Sequence, residues 1–344
     1  NERRRMDQIL SNLPLVILAV LIVGFLVYTG FRLGPRFLVR RIAGLVFVIF
    51  GVSFVTFILG YFAPGDAVVN QLGVHYTPQL ARALRHLYGL DQPWYVQYGA
   101  FLNNLLHFSL GISWADRSRT VWEILAQFVP VSVTLGLSSL VLAIVLGIPL
   151  GMLAAVRANT RYDTVIQTFS LVFFALPSFV IIPFYALAMI WLNNQGLPHL
   201  QVSGWGTWDT MLAPIIITAI NSFAGYLRFT RTSVIEVLRQ DYVRTARAKG
   251  LSERLVLWRH VFKNALLPLI TITGPTIGFV VTGLFITENL FNIPGIGQES
   301  INSIISRDFP VVQGVTILLA VTVALMNLVT DVTYGLVDPR IKVA

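Results

Sequence analysis

Apolar stretches about as long as a membrane is thick recur along this chain, at residues 13–31, 42–63, 131–156, 165–192, 211–229, 266–287 and 311–332. A helix rises about 1.5 Å per residue, so roughly 20 apolar residues cross the 30 Å hydrocarbon core of a bilayer. These seven runs are apolar on every side, whereas the strands of a membrane barrel alternate between lipid and lumen over about ten residues. Only helices and closed barrels satisfy every backbone group in lipid, so the pattern implies an all-α polytopic membrane protein. Composition agrees: 12% of residues are charged and 55% hydrophobic, against roughly 25% charged in soluble domains. With no cysteine, neither a disulfide framework nor a thiolate metal site is available.

Basic residues set the expected orientation. Arg157 and Arg161 follow the third run, 193–210 holds none, nine lie between Arg228 and Lys263, and 288–310 holds only Arg307. This alternation is the positive-inside pattern and places the 230–265 loop and the C-terminal tail in the cytoplasm. The 64–130 connection is then external. The net charge of +9 follows from the cytoplasmic excess, so a nucleic-acid partner is not required to explain it.

The N-terminal extension, residues 1–36, fits that pattern poorly because Arg3, Arg4 and Arg5 would be external if 13–31 spans. An extra N-terminal helix is expected, with an interfacial segment or a signal-like region as the alternatives. In the external connection, Thr77-Pro78 starts a short helix with Leu80, Ala83, Leu84 and Leu87 at helical spacing, stopped at Gly89. Asp91 and Pro93 open a second. These helices either cover the outer ends of the spans or receive an external partner.

Groups that do chemistry are scarce. The five histidines, His75, His86, His107, His199 and His260, lack ligand spacing, and no phosphate-binding G-x-x-x-x-G-K-[ST] loop occurs. No catalytic residue, metal site or cofactor is expected. The runs are almost free of carboxylates, unlike those of ion-coupled carriers. Glu288 and Asp331 sit at their ends, and Asn221 is the clearest intramembrane amide. A channel would show a filter, and an embedded enzyme converging acid and base groups. Pro177 and Pro183 interrupt the fourth run and predict a kink or unwound turn, lining a pathway or simply packing.

One segment departs from the apolar character: YVRTARAKGLSERLVLWRH, residues 242–260. Helix formers up to Lys249, Gly250 as a left-handed stop and Ser252 as an N-cap predict a helix, a tight turn and a second helix. In that second helix Leu255, Val256, Val261 and Phe262 are expected to share a face. Basic residues on such a pair suit anionic lipid headgroups or a partner's groove equally well.

The run YVRTARAKGLSERLVLWRHVFKNALLP resembles the cytoplasmic signature loop of ABC importer permeases of the oligopeptide, dipeptide and nickel group. Arg244-Thr245-Ala246 stands at the family's Glu-Ala-Ala position, without the Glu, Gly250 at its glycine and Leu267-Pro268 at its closing pair. Similar matches are PGD at 64–66, GLDQPWYVQY at 89–98, LGIPLGMLAA at 146–155, ALPSF at 175–179, ENLFNIPGIGQ at 288–298, RDFPVVQG at 307–314 and YGLVDPR at 334–340. Together they resemble the B-type permease subunit over 37–344. Phe108-Ser109-Leu110-Gly111 departs from the family's Gly-Asp-Leu-Gly.

The resemblance implies a six-helix permease core, plus the extra N-terminal helix, in the inner membrane of a prokaryote. It implies a transport subunit with no enzymatic activity of its own, serving an ATP-driven importer of dipeptides or oligopeptides and forming half of its pathway. The implied partners are a second homologous permease, two cytoplasmic ATPases and an extracytoplasmic substrate-binding protein, with membrane lipid around them. The ATPase-coupling residues would be Arg244, Thr245, Ala246, Arg247, Lys249, Gly250, Leu251, Ser252, Arg254 and Leu255. Arginines would meet acidic rims, and Leu251 and Leu255 would anchor. Pro177, Asn221, Glu288, Asn292, Pro294 and Gly295 are the candidates for pathway or external gate.

Overall fold

A computed structural model describes residues 35–337, apart from 64 and 282, as fourteen helices without a strand. The 13–31 run and the tail at 338–344 lie outside the described residues. Four single helices are long and apolar enough to cross a bilayer: α1 (Pro35–Phe62), α5 (Val121–Val156), α8 (Trp208–Leu238) and α14 (Phe309–Val337). Two bent pairs bring the number to as many as six if each is one span, against the six runs expected within the described region.

The first bent pair is α6 (Arg161–Ala175) and α7 (Ser178–Asn194), which meet at 91°. The 165–192 run is thus two helices rather than one straight span. Its break is at Pro177: a residue before proline is pushed out of the α region, and Leu176 has φ −89 and ψ 108. Pro183 stays inside α7 and breaks nothing.

At the centre, α5 and α8 run against one another. A Cβ on Gly147 would stand 2.9 Å from the Phe223 carbonyl oxygen, and one on Gly151 2.5 Å from that of Leu227. Glycine lets the two backbones touch, which is how membrane helices gain packing contact without a hydrophobic driving force. The helix α5 starts ten residues before the expected 131. A capping box, Thr120 with Glu123, opens it and Pro130 lies inside, so the connection from 64 ends at Thr120.

That connection folds into α2 (Ala67–Leu72), α3 (Pro78–Leu87) and α4 (Trp94–Leu106), a cap over one end of the bundle. The Thr77 hydroxyl accepts from Leu80 N, and Gly89 closes α3 with φ 67. The buried face of α3 is Ala81 and Leu84 against Val68, leaving Leu80 and Leu87 exposed. The expected face, 80/83/84/87, is therefore rotated, because the spacing 81/84/88 serves equally and Val68 selects it. Tyr98 of α4 sits among Phe50, Phe54 and Phe57 of α1, its hydroxyl 3.1 Å from Ser53 Oγ.

Candidate functional site

Two constellations account for most of the singled-out residues. The first is the helix pair at the basic end of the bundle. Here α9 (Asp241–Ala248) is followed by Gly250 at φ 78 and by α10 (Glu253–Ala265). The Gly250 N–H donates to the Arg247 carbonyl at 2.9 Å, closing the turn that a left-handed residue permits. Ser252 takes the N-cap backbone position, but its hydroxyl makes no capping bond. An ion pair clamps the corner instead: Arg247 donates to both oxygens of Glu253, at 2.6 and 3.1 Å.

Residues Val256–Phe262 of α10 form a π-helix. Its bonds run from i to i+5, so Val256 and Val261 fall on one face, whereas an α-helix would set them about 140° apart. Both are fully buried with Val243, Ala246 and Ala265, against Val234 of α8 and Ala155 of α5. Leu255 leaves this face and is exposed. The pair is thus seated on the ends of the central helices. Arg244, Thr245, Arg247, Lys249, Gly250, Leu251, Ser252, Arg254 and Leu255 are exposed on it. Ala246 alone of the coupling candidates points inward, with 5% exposure, and serves packing rather than contact.

The second constellation lies at the capped end, where α11 (Leu267–Val281) gives way to α12 (Phe285–Leu290) and α13 (Ile296–Ser306). Glu288 is completely buried. Its Oε1 accepts from Leu284 N at 2.8 Å, and its Oε2 from Gly297 N at 2.6 Å and Gln298 N at 3.2 Å. The carboxylate therefore caps the first turn of α13, where helix amides and dipole favour a negative charge. Ser132 of α5 accepts from the adjacent Ile296 N at 2.8 Å. Gly295 is buried beside the carboxylate, while Asn292, left-handed at φ 52, and Pro294 are exposed at the hairpin tip. Asn292 accepts from Gln298 Nε2 at 2.8 Å. This hairpin is a fastened unit, with Glu288 as its internal clasp.

The remaining candidates stand apart from this clasp. Pro177 is exposed at the α6–α7 corner. Ile182, on the next turn and a half of α7, packs with Phe291 and Ile293 of the hairpin, which links that corner to it. Asn221 is only half-buried, one turn from Thr218, whose hydroxyl reaches Thr287 at 3.4 Å.

Three polar anchors went unrecognised in the sequence. Asp308 is buried and accepts from Ser113 Oγ and from the amides of Trp114 at 3.0 Å and Ala115 at 3.2 Å, pinning the cap to the start of α14. Asp163 and Arg231 pair at the basic end. Ser132 ties α5 to the hairpin. Asp163 and Arg231 stand among other polar residues, in RANTRYDT and RFTRTS, so nothing local distinguishes them, and only Asp308, within RDFPVVQG, carried a motif signal.

In the cap, Asp66 accepts from Val68 N at 2.9 Å and pairs with Arg85. Burial opposes ionisation of Asp66, but the Arg85 guanidinium and the Val68 and Val69 amides prevail and hold it below the usual carboxylate range. Glu299 on α13 is pushed up by burial and by the nearby Asp308 charge. No cluster of ligating side chains fit for a metal ion occurs among the described residues.

A protein with a basic helix-turn-helix seated on one end of such a bundle matches known sequences along nearly its whole length. Residues 147–343 match the family described as binding-protein-dependent transport system inner membrane component, and residues 35–136 match the N-terminal model of such membrane components. The chain belongs to this family. It is 35% identical over 307 residues to the dipeptide transport system permease protein of Lactococcus lactis subsp. cremoris, covering 89% of this chain and 99% of that one. The corresponding dipeptide permease of Bacillus subtilis is 34% identical, over 89% and 98%. The oligopeptide permease of Haemophilus influenzae is also 34% identical, over 89% and 99%. The chain is thus a multi-pass inner-membrane permease subunit that works with other subunits of an ABC transporter. Hydrolysis of ATP belongs to those partners.

Proposed function

We propose that this permease forms half of the pathway of an importer for dipeptides or oligopeptides, beside a second homologous permease. Two ATPases dock on the basic end from the cytoplasm, where the C-terminus also lies, and a substrate-binding protein delivers cargo to the capped, extracytoplasmic end. The substrate class rests on the relatives named above. The docking reading rests chiefly on one observation: the α9–α10 pair buries one face on α8 and α5 and leaves Leu251 and Leu255 exposed within a rim of Arg244, Lys249 and Arg254.

Such a pair suits a partner groove with an apolar floor and acidic edges. Lipid headgroups would engage the arginines but give no reason for a clamped corner between two helices. Closure of the ATPases then moves the pair as a rigid body with the helix ends it is packed on. The Glu288 hairpin and Pro177 corner form the outer part of the moving assembly. Residues 37–344 act as the permease domain, with 1–36 an extension outside it. Leu251→Asp combined with Leu255→Asp is expected to abolish co-purification of the ATPases while this chain still pairs with the second permease. Retention of the ATPases by that variant would refute the docking reading, and uptake assays with labelled di-, tri- and pentapeptides test the substrate class.

A further inference from the structure

Asp163 on α6 is 2% exposed, yet nothing in the transport reading uses it. Arg231 of α8 grips it with both arms, Nε to Oδ1 at 2.7 Å and Nη2 to Oδ2 at 2.8 Å. The remaining acceptor capacity is filled by Asn159 N and Gln167 Nε2, each at 2.9 Å. The same two helices meet twice more, at Ser170 Oγ with the Ala224 carbonyl and at Arg228 over the Phe174 ring.

We propose that the Asp163–Arg231 pair is the joint through which movement of the α9–α10 pair reaches the broken span α6–α7; this rests on the docking reading above. Arg231 lies one turn before Val234, the α8 residue buried among Val243, Ala246, Val256 and Val261. The last turns of α8 are therefore held by the coupling pair on one side and by α6 on the other. Apolar contacts allow helices to slide, whereas a bidentate fork fixes distance and angle together, and separating the pair leaves the buried Asp163 carboxylate uncompensated. Beyond the joint, α6 turns through 91° at Pro177 into α7, and Ile182 of α7 meets Phe291 and Ile293 of the Glu288 hairpin. A displacement that enters at the basic end is delivered by this route to the capped end. Arg231 and Asp163 are positioning residues, touching neither cargo nor nucleotide.

The chain has no cysteine, so spin labels at Lys263→Cys on α10 and Val165→Cys on α6, neither of them in the docking rim, report on the joint without background. Both positions are exposed, and the full transporter in lipid nanodiscs would be measured without nucleotide and with trapped ATP. The native pair is expected to hold one narrow distance in both states. With Arg231→Lys, which keeps the charge but loses the fork, or Asp163→Asn, the distance should shift or broaden by about 5 Å on trapping. Tripeptide uptake per ATP should fall at least tenfold while hydrolysis stays within about twofold, and the swap Asp163→Arg with Arg231→Asp should restore most of the coupling. The joint is refuted if the labels separate in the native pair, or if assembled Arg231→Lys keeps both native distances and native uptake per ATP. If Asp163→Asn fails to assemble, Arg231→Lys decides by the same criteria. Failure of the docking reading would register differently, as ATPases that remain bound to the Leu251→Asp, Leu255→Asp variant.

Discussion

Replacing Glu288 by Gln keeps the shape of the side chain and removes only its charge and one acceptor. In the native hairpin three amides converge on two carboxylate oxygens, in a site closed to solvent. The better amide orientation keeps the carbonyl toward Gly297 and Gln298 and turns the NH2 toward Leu284 N, setting two donors against each other. Hydrogen bonds to a charged acceptor contribute about 1.5–3 kcal/mol and neutral ones about 1 kcal/mol, so one loss and two weakenings remove about 4 kcal/mol. An amide is easier to bury than a carboxylate, which returns part of this and leaves a net loss of about 2 kcal/mol. At roughly 2–4 °C per kcal/mol, helix loss on heating in detergent, followed by circular dichroism at a fixed scan rate, should move down by about 4–8 °C. Glu288→Ala, which strands all three amides, should cost more. A Gln variant that melts within 1 °C of the native permease would refute the clasp and return Glu288 to the role of a mobile gate.

Other expectations follow from single contacts. A Cβ at Gly250 meets no atom within 4 Å, so in Gly250→Val the left-handed backbone is what resists; the expected outcome is loss of coupled uptake with an intact membrane fold, and native substrate-stimulated transport would contradict it. Gly151→Ala must spread α5 from α8 at about 1–3 kcal/mol, whereas Gly44→Ala, with nothing nearby, should be neutral or slightly stabilising; comparative melting checks both. His86 Nδ1 lies 2.7 Å from Asp91 Oδ2, and that bond raises the His86 pKa and lowers that of Asp91. Its contribution is full below about 6.5 and lost as pH rises through the raised His86 value, and is lost again as pH falls through the depressed Asp91 value. Carbon-13 NMR of labelled His86 should show a midpoint above about 6.5 that Asp91→Asn brings back down.

Periodicity and punctuation resolved local questions well. Thr77-Pro78 starts a helix, Gly250 stops one, and the residue before Pro177 leaves the α region, because capping, φ preference and the pre-proline clash act within a few residues. Which face of a helix turns inward was less accessible. Both 80/83/84/87 and 81/84/88 are helical spacings along α3 and its C-cap Tyr88, and packing against Val68 chose the second. The Val256–Val261 contact needed a π-helix, whose five-residue closure an α-periodic reading cannot anticipate.

The sequence by itself determined that this chain crosses a membrane several times and which residues form its basic helix pair. Those outcomes depend on transfer of apolar runs from water and on the charge of loops, both additive along the chain. Tertiary structure alone decided what the buried acids do. A carboxylate at the end of an apolar run reads the same whether it binds cargo, takes a proton or fastens a hairpin, until the donors around it are known. Here Glu288 meets the amides of Gly297 and Gln298, Asp308 those of Trp114 and Ala115, and Asp163 the guanidinium of a residue 68 positions away. Those partners come from other segments of the chain, and only the packing of helix on helix brings them within bonding distance.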